Sequence, residues 1–502
     1  MNSILLDSIK NKNQFETLSK NLETDICIIG AGMFGITCAY YLNNLGFDVT
    51  VLEKDDICSK TTAFTTGKIT SQHGLFYNYL INSYGNAFAK DYLESNESAI
   101  KNIKNIIDAE KINCDFEYQN NYVYTTKKSE ISSIKKEVDS VNSLGFDCDF
   151  VTKTGLPFEI EGAICFKNQA QFNPLKYIQG LCKKIINNNG KIFTHTTAID
   201  IKKDEQNYLV FTDKNYVKAK FVIVATHYPF LKISGLYFTK MYQSTSYIIA
   251  IDPKKTLNNG MYINNSAPIF SFRTAKFNNN NNILLIAGSD HKSGKPTSYK
   301  DSYGVLEDIA KKYYPNCEIL YKWNTEDCIS IDKIPYIGSY SLSMPNVFVG
   351  TGFKKWGMTS SNVAANIIVD KICNKTNKYE YMYNSSRLKP IKNLDEFKNM
   401  MVQSTNSLFL DKLKSPNMSF EKIAINSGSI IEVNSEKVGI YKDTSGDIHA
   451  VKPICTHLGC LLSWNDLDKT WDCPCHGSRF DYDGKNLYNP AFKNLEVYNL
   501  SD

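Results

Sequence analysis

The sequence predicts an α/β domain built on a parallel sheet, an antiparallel-sheet subdomain inserted into it, and a small all-β module behind both. Three observations lead there. An apolar run (Ile26 to Ile29), a glycine cluster, a helical stretch (Met33 to Leu45) and an alternating segment (Phe47 to Leu52) read as strand, helix, strand. Two further apolar runs, Phe221 to Ala225 and Val347 to Val349, read as members of the same buried sheet. From Glu421 onward, short alternating strands (Ile423 to Val433, Val438 to Tyr441, Ala450 to Ile454) replace the longer elements.

The chain has 502 residues, enough for two to four domains. With 42% hydrophobic and 22% charged residues it can bury a core, which excludes long disorder. A net charge of +5 is small for this length and argues against a nucleic-acid partner. No apolar stretch reaches the ~18 residues of a membrane span. Ile4-Leu5-Leu6 is broken by Asp7 and Lys10, which excludes a signal peptide. The expectation is a soluble, cytoplasmic protein, with peripheral membrane contact left open. Residues 1–23 read as a polar lead-in and 24–385 as the α/β domain. Its inserted subdomain covers about 76–155 and 236–325, with Asn278–Asn282 as a hairpin tip. Residues 386–420 read as a linker and 421–502 as the β module.

Gly30-Ala31-Gly32-Met33-Phe34-Gly35 fits G-x-G-x-x-G, follows a strand, opens a helix and precedes Glu53. Gly30 permits a tight turn, Gly32 lets backbone approach a pyrophosphate, and Gly35 lets helix and strand pack closely. The helix N-terminus favours the phosphate charge, and Glu53 is placed to accept from a ribose hydroxyl. This fingerprint fits FAD and NAD alike.

Ten of the fourteen cysteines are scattered and read as small buried hydrophobes. The other four cluster with two histidines, in Cys455-Thr456-His457-Leu458-Gly459-Cys460 and Cys473-Pro474-Cys475-His476-Gly477-Ser478. Each box offers a thiolate and an imidazole. A zinc finger would more often pair Cys with Cys and His with His. The mixed boxes suit a [2Fe–2S] cluster with Cys455 and Cys473 on one iron and His457 and His476 on the other, the Rieske arrangement, whose neutral imidazoles raise the potential.

The first part of the chain resembles the FAD-dependent D-amino-acid oxidase and glycine oxidase superfamily. The motifs that carry the resemblance are Thr61-Thr62-Ala63-Phe64-Thr65-Thr66-Gly67-Lys68 and Val347 to Thr359. It implies a Rossmann-like FAD domain of the glutathione-reductase type. Its FAD contacts would fall on Gly30, Gly32, Gly35, Glu53, Lys54, Thr61, Thr62, Thr65, Thr66, Lys68, Ala198, Thr226, Gly350, Gly352, Lys355, Trp356, Gly357, Met358 and Thr359. A helix from Thr359 to Ile372 would offer its N-terminus to the flavin pyrimidine. The tail resembles the Rieske proteins of cytochrome bc-type complexes, which implies a Cys460–Cys475 disulfide and a Ser478 hydroxyl donating to the cluster. Phe480 stands where high-potential members carry tyrosine, which implies a lower potential. The whole chain is similar to a bacterial family that fuses these two units.

That resemblance, with no hydrolase motif, P-loop or His-Glu-x-x-His in the sequence, leads to a flavin-dependent dehydrogenase of an amine or amino-acid-like substrate. It would pass electrons from FAD to the fused cluster and on to an external acceptor. The alternatives are a reductase running from cluster to flavin, fed by an external donor, or a non-enzymatic redox carrier or sensor. Arg273 is the candidate for a substrate carboxylate, with a strand salt bridge as the other reading. His291 and Tyr247 are candidates for the pocket, with plain packing as the other reading.

Overall fold

The structure, a computed structural model, describes residues 3–9, 13–231, 234–254, 259–277, 281–294, 302–387 and 422–500. The expected linker at 386–420 lies outside these residues but for its first two positions.

The predicted parallel sheet is present. Its core order is Tyr336–Ser341, Met344–Thr351, Tyr216–Val224, Leu22–Ile29, Val49–Leu52, Lys191–Phe193. Four of the contacts between neighbours are parallel. The outermost hairpin (Tyr336–Ser341 with Met344–Thr351) is antiparallel, as are Ala198–Asp204 and Asn207–Thr212 at the side. Ile26, Ile28, Val49, Val51, Val222 and Val347 are fully buried, as unbroken Val/Ile runs covered on both faces should be. The Met33–Asn44 and Gly357–Ile372 helices pack on each other over this sheet.

A second sheet has nine strands and is largely antiparallel. Its order is Glu318–Ser330, Met241–Asp252, Asn281–Lys292, Phe270–Phe277, Met261–Asn264, Glu117–Thr125, Gly162–Gln171, Lys68–Ile69, with Asp149–Val151 paired to Gly162–Gln171. It is wider than the expected spans, since 68–69, 162–171 and 326–330 join it. Conversely, the long amphipathic Asn86–Ala109 helix inside the expected insertion packs on Gly357–Ile372 of the first unit. Helical periodicity shows which face is apolar but not which sheet that face covers. Of the expected Asn278–Asn282 tip, Asn281 and Asn282 belong to the strand Asn281–Lys292, which pairs with Phe270–Phe277, and 278–280 lie outside the described residues. The N-terminal segment is more than a lead-in. Ile4–Asp7 is a short helix with Ile4 and Leu5 buried, Ser3 Oγ donates to Ala63 O (2.6 Å), and the first strand begins at Leu22.

The C-terminal module holds a three-stranded sheet (Ser427–Val433, Glu436–Lys442, Ile448–Val451) and a four-stranded one (Ser463–Asn465, Thr470–Asp472, Arg479–Asp481, Asn486–Tyr488). Trp471 and Phe480 are fully buried in its core.

Candidate functional site: a cavity shared by two units

The first strand ends at Gly30, whose N–H donates to Leu52 O (2.8 Å). A Cβ on Gly35 would lie 1.9 Å from Gly30 O, so only glycine lets the helix sit down on this turn. Beside the turn opens a cavity that runs from Ile29 and Gly30 past Glu53 and Thr62 to Gly357 and Met358.

Of the expected FAD contacts, Gly30, Gly32, Glu53, Lys54, Thr61, Thr62, Thr65, Ala198, Thr226, Gly350, Lys355, Gly357 and Met358 line this cavity. Glu53 is held in place: its Oε2 accepts from Ala31 N (2.7 Å) and its Oε1 from Asp55 N (3.1 Å), while burial pushes its carboxyl upward. The Gly357–Ile372 helix starts at the cavity wall, two residues earlier than expected, and its first N–H groups carry the partial positive charge of a helix N-terminus.

The remaining contacts lie outside the lining. Gly35 is under the turn, and Gly352 packs on Met241 and Ser330. Trp356 stacks on His73 (4.9 Å between ring centres), and Thr359 Oγ1 donates to Thr70 O (3.2 Å). Lys68 is buried in the second sheet, where Nζ donates to Tyr262 O (2.9 Å) and Ser271 Oγ (2.6 Å). Burial, reinforced by Arg273, brings its pKa down to about 7. Thr66 also lies beyond the wall.

None of the three substrate candidates lines the cavity. Arg273 is buried on Phe270–Phe277, its Nη2 3.4 Å from where a Gly67 Cβ would stand, with Glu117 and Asp115 the acids that favour its charge. Tyr247 and His291 contact each other (Oη to Nε2, 3.2 Å) on the sheet face that packs against the Ser302–Tyr313 helix. What the wall does present is Asp327, raised to about 6 by burial against the pull of Lys355. Lys355 itself pairs with Asp290 (2.8 Å). The sequence motifs assigned Asp327 no role in the site.

The two Cys/His boxes form matching loops. Gly459 N donates to Cys455 O and Gly477 N to Cys473 O, both at 2.9 Å. The Cys455 and Cys473 thiols are in hydrogen-bond contact. The rings of His457 and His476 stand perpendicular with centres 5.1 Å apart. The Cys460–Cys475 disulfide clamps the loops, as the resemblance implied. His476 Nδ1 is buried with no hydrogen-bond partner among the described residues, and burial followed by His457 brings its pKa down to about 3, so the ring is neutral and able to ligate. The four donors fit a Rieske cluster. Ser478 is buried, accepts from Ala491 N (3.0 Å) and bonds toward Cys455.

The module docks onto the cavity itself. Leu487, Tyr488, Asn489 and Phe492 form part of its wall. Lys54 Nζ donates to Asn486 Oδ1 (2.9 Å), and Asn489 Nδ2 to Thr226 O (3.3 Å). Behind them sits Arg479, 1% exposed, with all five N–H groups used. Nε donates to Asp472 (2.9 Å), Nη1 to Glu326 (3.0 Å) and Asn324 (3.1 Å), and Nη2 to Asp468 (2.7 Å) and Thr470 (3.0 Å). Glu326 and Asn324 belong to the second sheet, so a buried guanidinium joins the two units. No sequence signal marked it, because its partners lie up to 155 positions away.

Comparison with known proteins agrees with this architecture. Residues 25–371 match the DAO family, FAD dependent oxidoreductase, and residues 421–499 match the Rieske [2Fe-2S] domain. The chain is 37% identical over 486 residues to the "Putative Rieske 2Fe-2S iron-sulfur protein YhfW" of Bacillus subtilis (strain 168), covering 97% of this chain and 95% of that one. It is 24% identical over 217 residues to gamma-glutamylputrescine oxidoreductase of Escherichia coli (strain K12), 42% of this chain and 50% of that one. In fold it is similar to glycine oxidase from Geobacillus kaustophilus, with a TM-score of 0.63 and 14% identity over 74% of this chain and all of that one. Among the described residues no helix is long and apolar enough to cross a membrane. Strand, fingerprint, cavity and match together place the chain in the DAO family of FAD-dependent oxidoreductases, with a C-terminal Rieske domain that adds a [2Fe–2S] cluster to the FAD.

Proposed function

We propose that the protein is a dehydrogenase that oxidises a small amine or amino-acid-like molecule and sends the electrons through its own Rieske domain to an external acceptor. When bound, FAD supplies acceptance of two electrons as hydride, and the cluster supplies transfer of one electron at a time. The observation that carries this reading is the shared wall: one cavity is lined by the FAD motifs and by Leu487, Tyr488, Asn489 and Phe492 of the Rieske domain.

The chain's own residues hold and orient. Glu53, fixed by the Ala31 N–H, would accept a hydrogen bond from a ribose hydroxyl of FAD, and the Gly357–Ile372 N-terminus would offer N–H groups to negative charge on the flavin. Asp327 is the wall residue able to receive a substrate ammonium, an arrangement that favours an amine, since Arg273 lies behind Gly67. Unpaired thiols at Cys27, Cys38 and eight other scattered positions, eight of the ten buried, favour a reducing compartment such as the cytoplasm. The test is anaerobic mixing of the holoprotein with a panel of amines and amino acids. Flavin bleaching followed by cluster reduction supports the proposal. Bleaching with no spectral change at the cluster, and peroxide formed on admitting air, refutes it.

A further inference from the structure

The Rieske domain and the FAD cavity meet at many atoms, and one side chain of the cavity wall reaches the backbone of a cluster ligand. Gln243, buried on the Met241–Asp252 strand, lines the cavity. Its Nε2 donates to His476 O (2.8 Å) and to Asn489 O (2.6 Å), so the same amide holds a cluster ligand and the segment that completes the cavity wall. Gly477, the residue after that ligand, has φ +78°, and a Cβ there would stand 2.6 Å from Gln243 Cβ. The loop is therefore pressed onto this side chain, which glycine alone permits. Phe238 meets the His476 ring edge-on at 5.9 Å, closing the same side.

We propose that Gln243 is the positioning residue for electron exchange between flavin and cluster, joining cavity wall to cluster ligand through one side chain and two hydrogen bonds. This rests on the function proposed above. Each electron gained by the cluster is one lost by the reduced flavin. Two such transfers, each relayed to the external acceptor, return the flavin to its oxidised form while the ring proton leaves to water. Methionine at 243 would keep the volume and lose both hydrogen bonds, releasing the 473–478 loop from the cavity wall.

The experiment is pulsed photoreduction of the flavin in the holoprotein, with cluster bleaching followed in time, for wild type, Gln243→Met and Gln243→Asn. No substrate is needed, and only molecules carrying both cofactors give the signal, so partial loading does not obscure the rate. The expected result is at least a tenfold slower arrival at the cluster in Gln243→Met and an intermediate rate in Gln243→Asn. The cluster's potential and its electron paramagnetic resonance spectrum should remain as in wild type. A Gln243→Met rate equal to wild type overturns the assignment, as does a slowing fully accounted for by a shifted potential. Absence of transfer in the wild type overturns the proposed function and this inference together.

Discussion

Replacing Arg479 with methionine removes the guanidinium and leaves three carboxylates, Glu326, Asp468 and Asp472, buried around an apolar side chain. In the native protein these acids and the amide and hydroxyl of Asn324 and Thr470 take up every N–H that Arg479 offers. Breaking a buried ion pair by deleting one partner costs ~3–5 kcal/mol, because the stranded charge has lost its water. Here some acids recover part of that cost by taking up protons, which makes the loss greatest at high pH. Three of the partners lie within the Rieske domain and two in the flavin unit, so both the domain and its docking should weaken. Urea unfolding of the holoprotein, followed separately by visible absorption of the cluster and by flavin fluorescence, reads the two effects. The expectation is a cluster transition shifted by ~3 kcal/mol or more, preceding the flavin transition. Coincident transitions with unchanged midpoints would show that the buried guanidinium does not hold the interface.

Glu326 has its carboxyl raised to about 7, first by burial, with Arg479 opposing. An acid raised in the folded state favours folding below its unfolded pKa and loses that contribution as pH climbs through 7. Glu326→Gln should therefore gain on wild type by roughly 2–3 kcal/mol between pH 5 and pH 8.5, measured as the difference in unfolding free energy. His73 goes the other way: burial, then Lys354, brings it down to about 3. Its neutral form is bonded to Tyr92 and Thr70, so stability falls as pH drops below the unfolded value of ~6.5, and His73→Gln should flatten the loss between pH 7 and 5 by ~2 kcal/mol. Gly35→Ala places a Cβ within 1.9 Å of Gly30 O, and the purified variant should lack most of its flavin absorbance while keeping its iron.

The sequence carried those features whose parts lie close along the chain. A strand, a turn, a helix and an acid within 28 residues, Ile26 to Glu53, spell the dinucleotide site, because the turn's glycines and the following helix are one continuous backbone device. Two boxes of six residues spell the cluster donors, since each loop brings its own thiolate and imidazole, while the clamp between them was implied by the resemblance to Rieske proteins and is present in the structure. Strand periodicity gave four of the eight strands of the buried sheet but not the order in which they pair. The Lys191–Phe193 edge strand is too short for such a pattern to mark.

What the tertiary structure decided is everything that depends on packing between distant segments. It moved Arg273 behind Gly67, turned Tyr247 and His291 toward the Ser302–Tyr313 helix, and put Asp327 on the cavity wall. It also buried Arg479 against Glu326 and set Gln243 between flavin cavity and cluster loop. Side chains alternate along a strand, so sequence halves the choices at each position. Which face looks into the cavity, and which foreign loop covers it, is fixed only when nine strands and a second domain have been laid against each other.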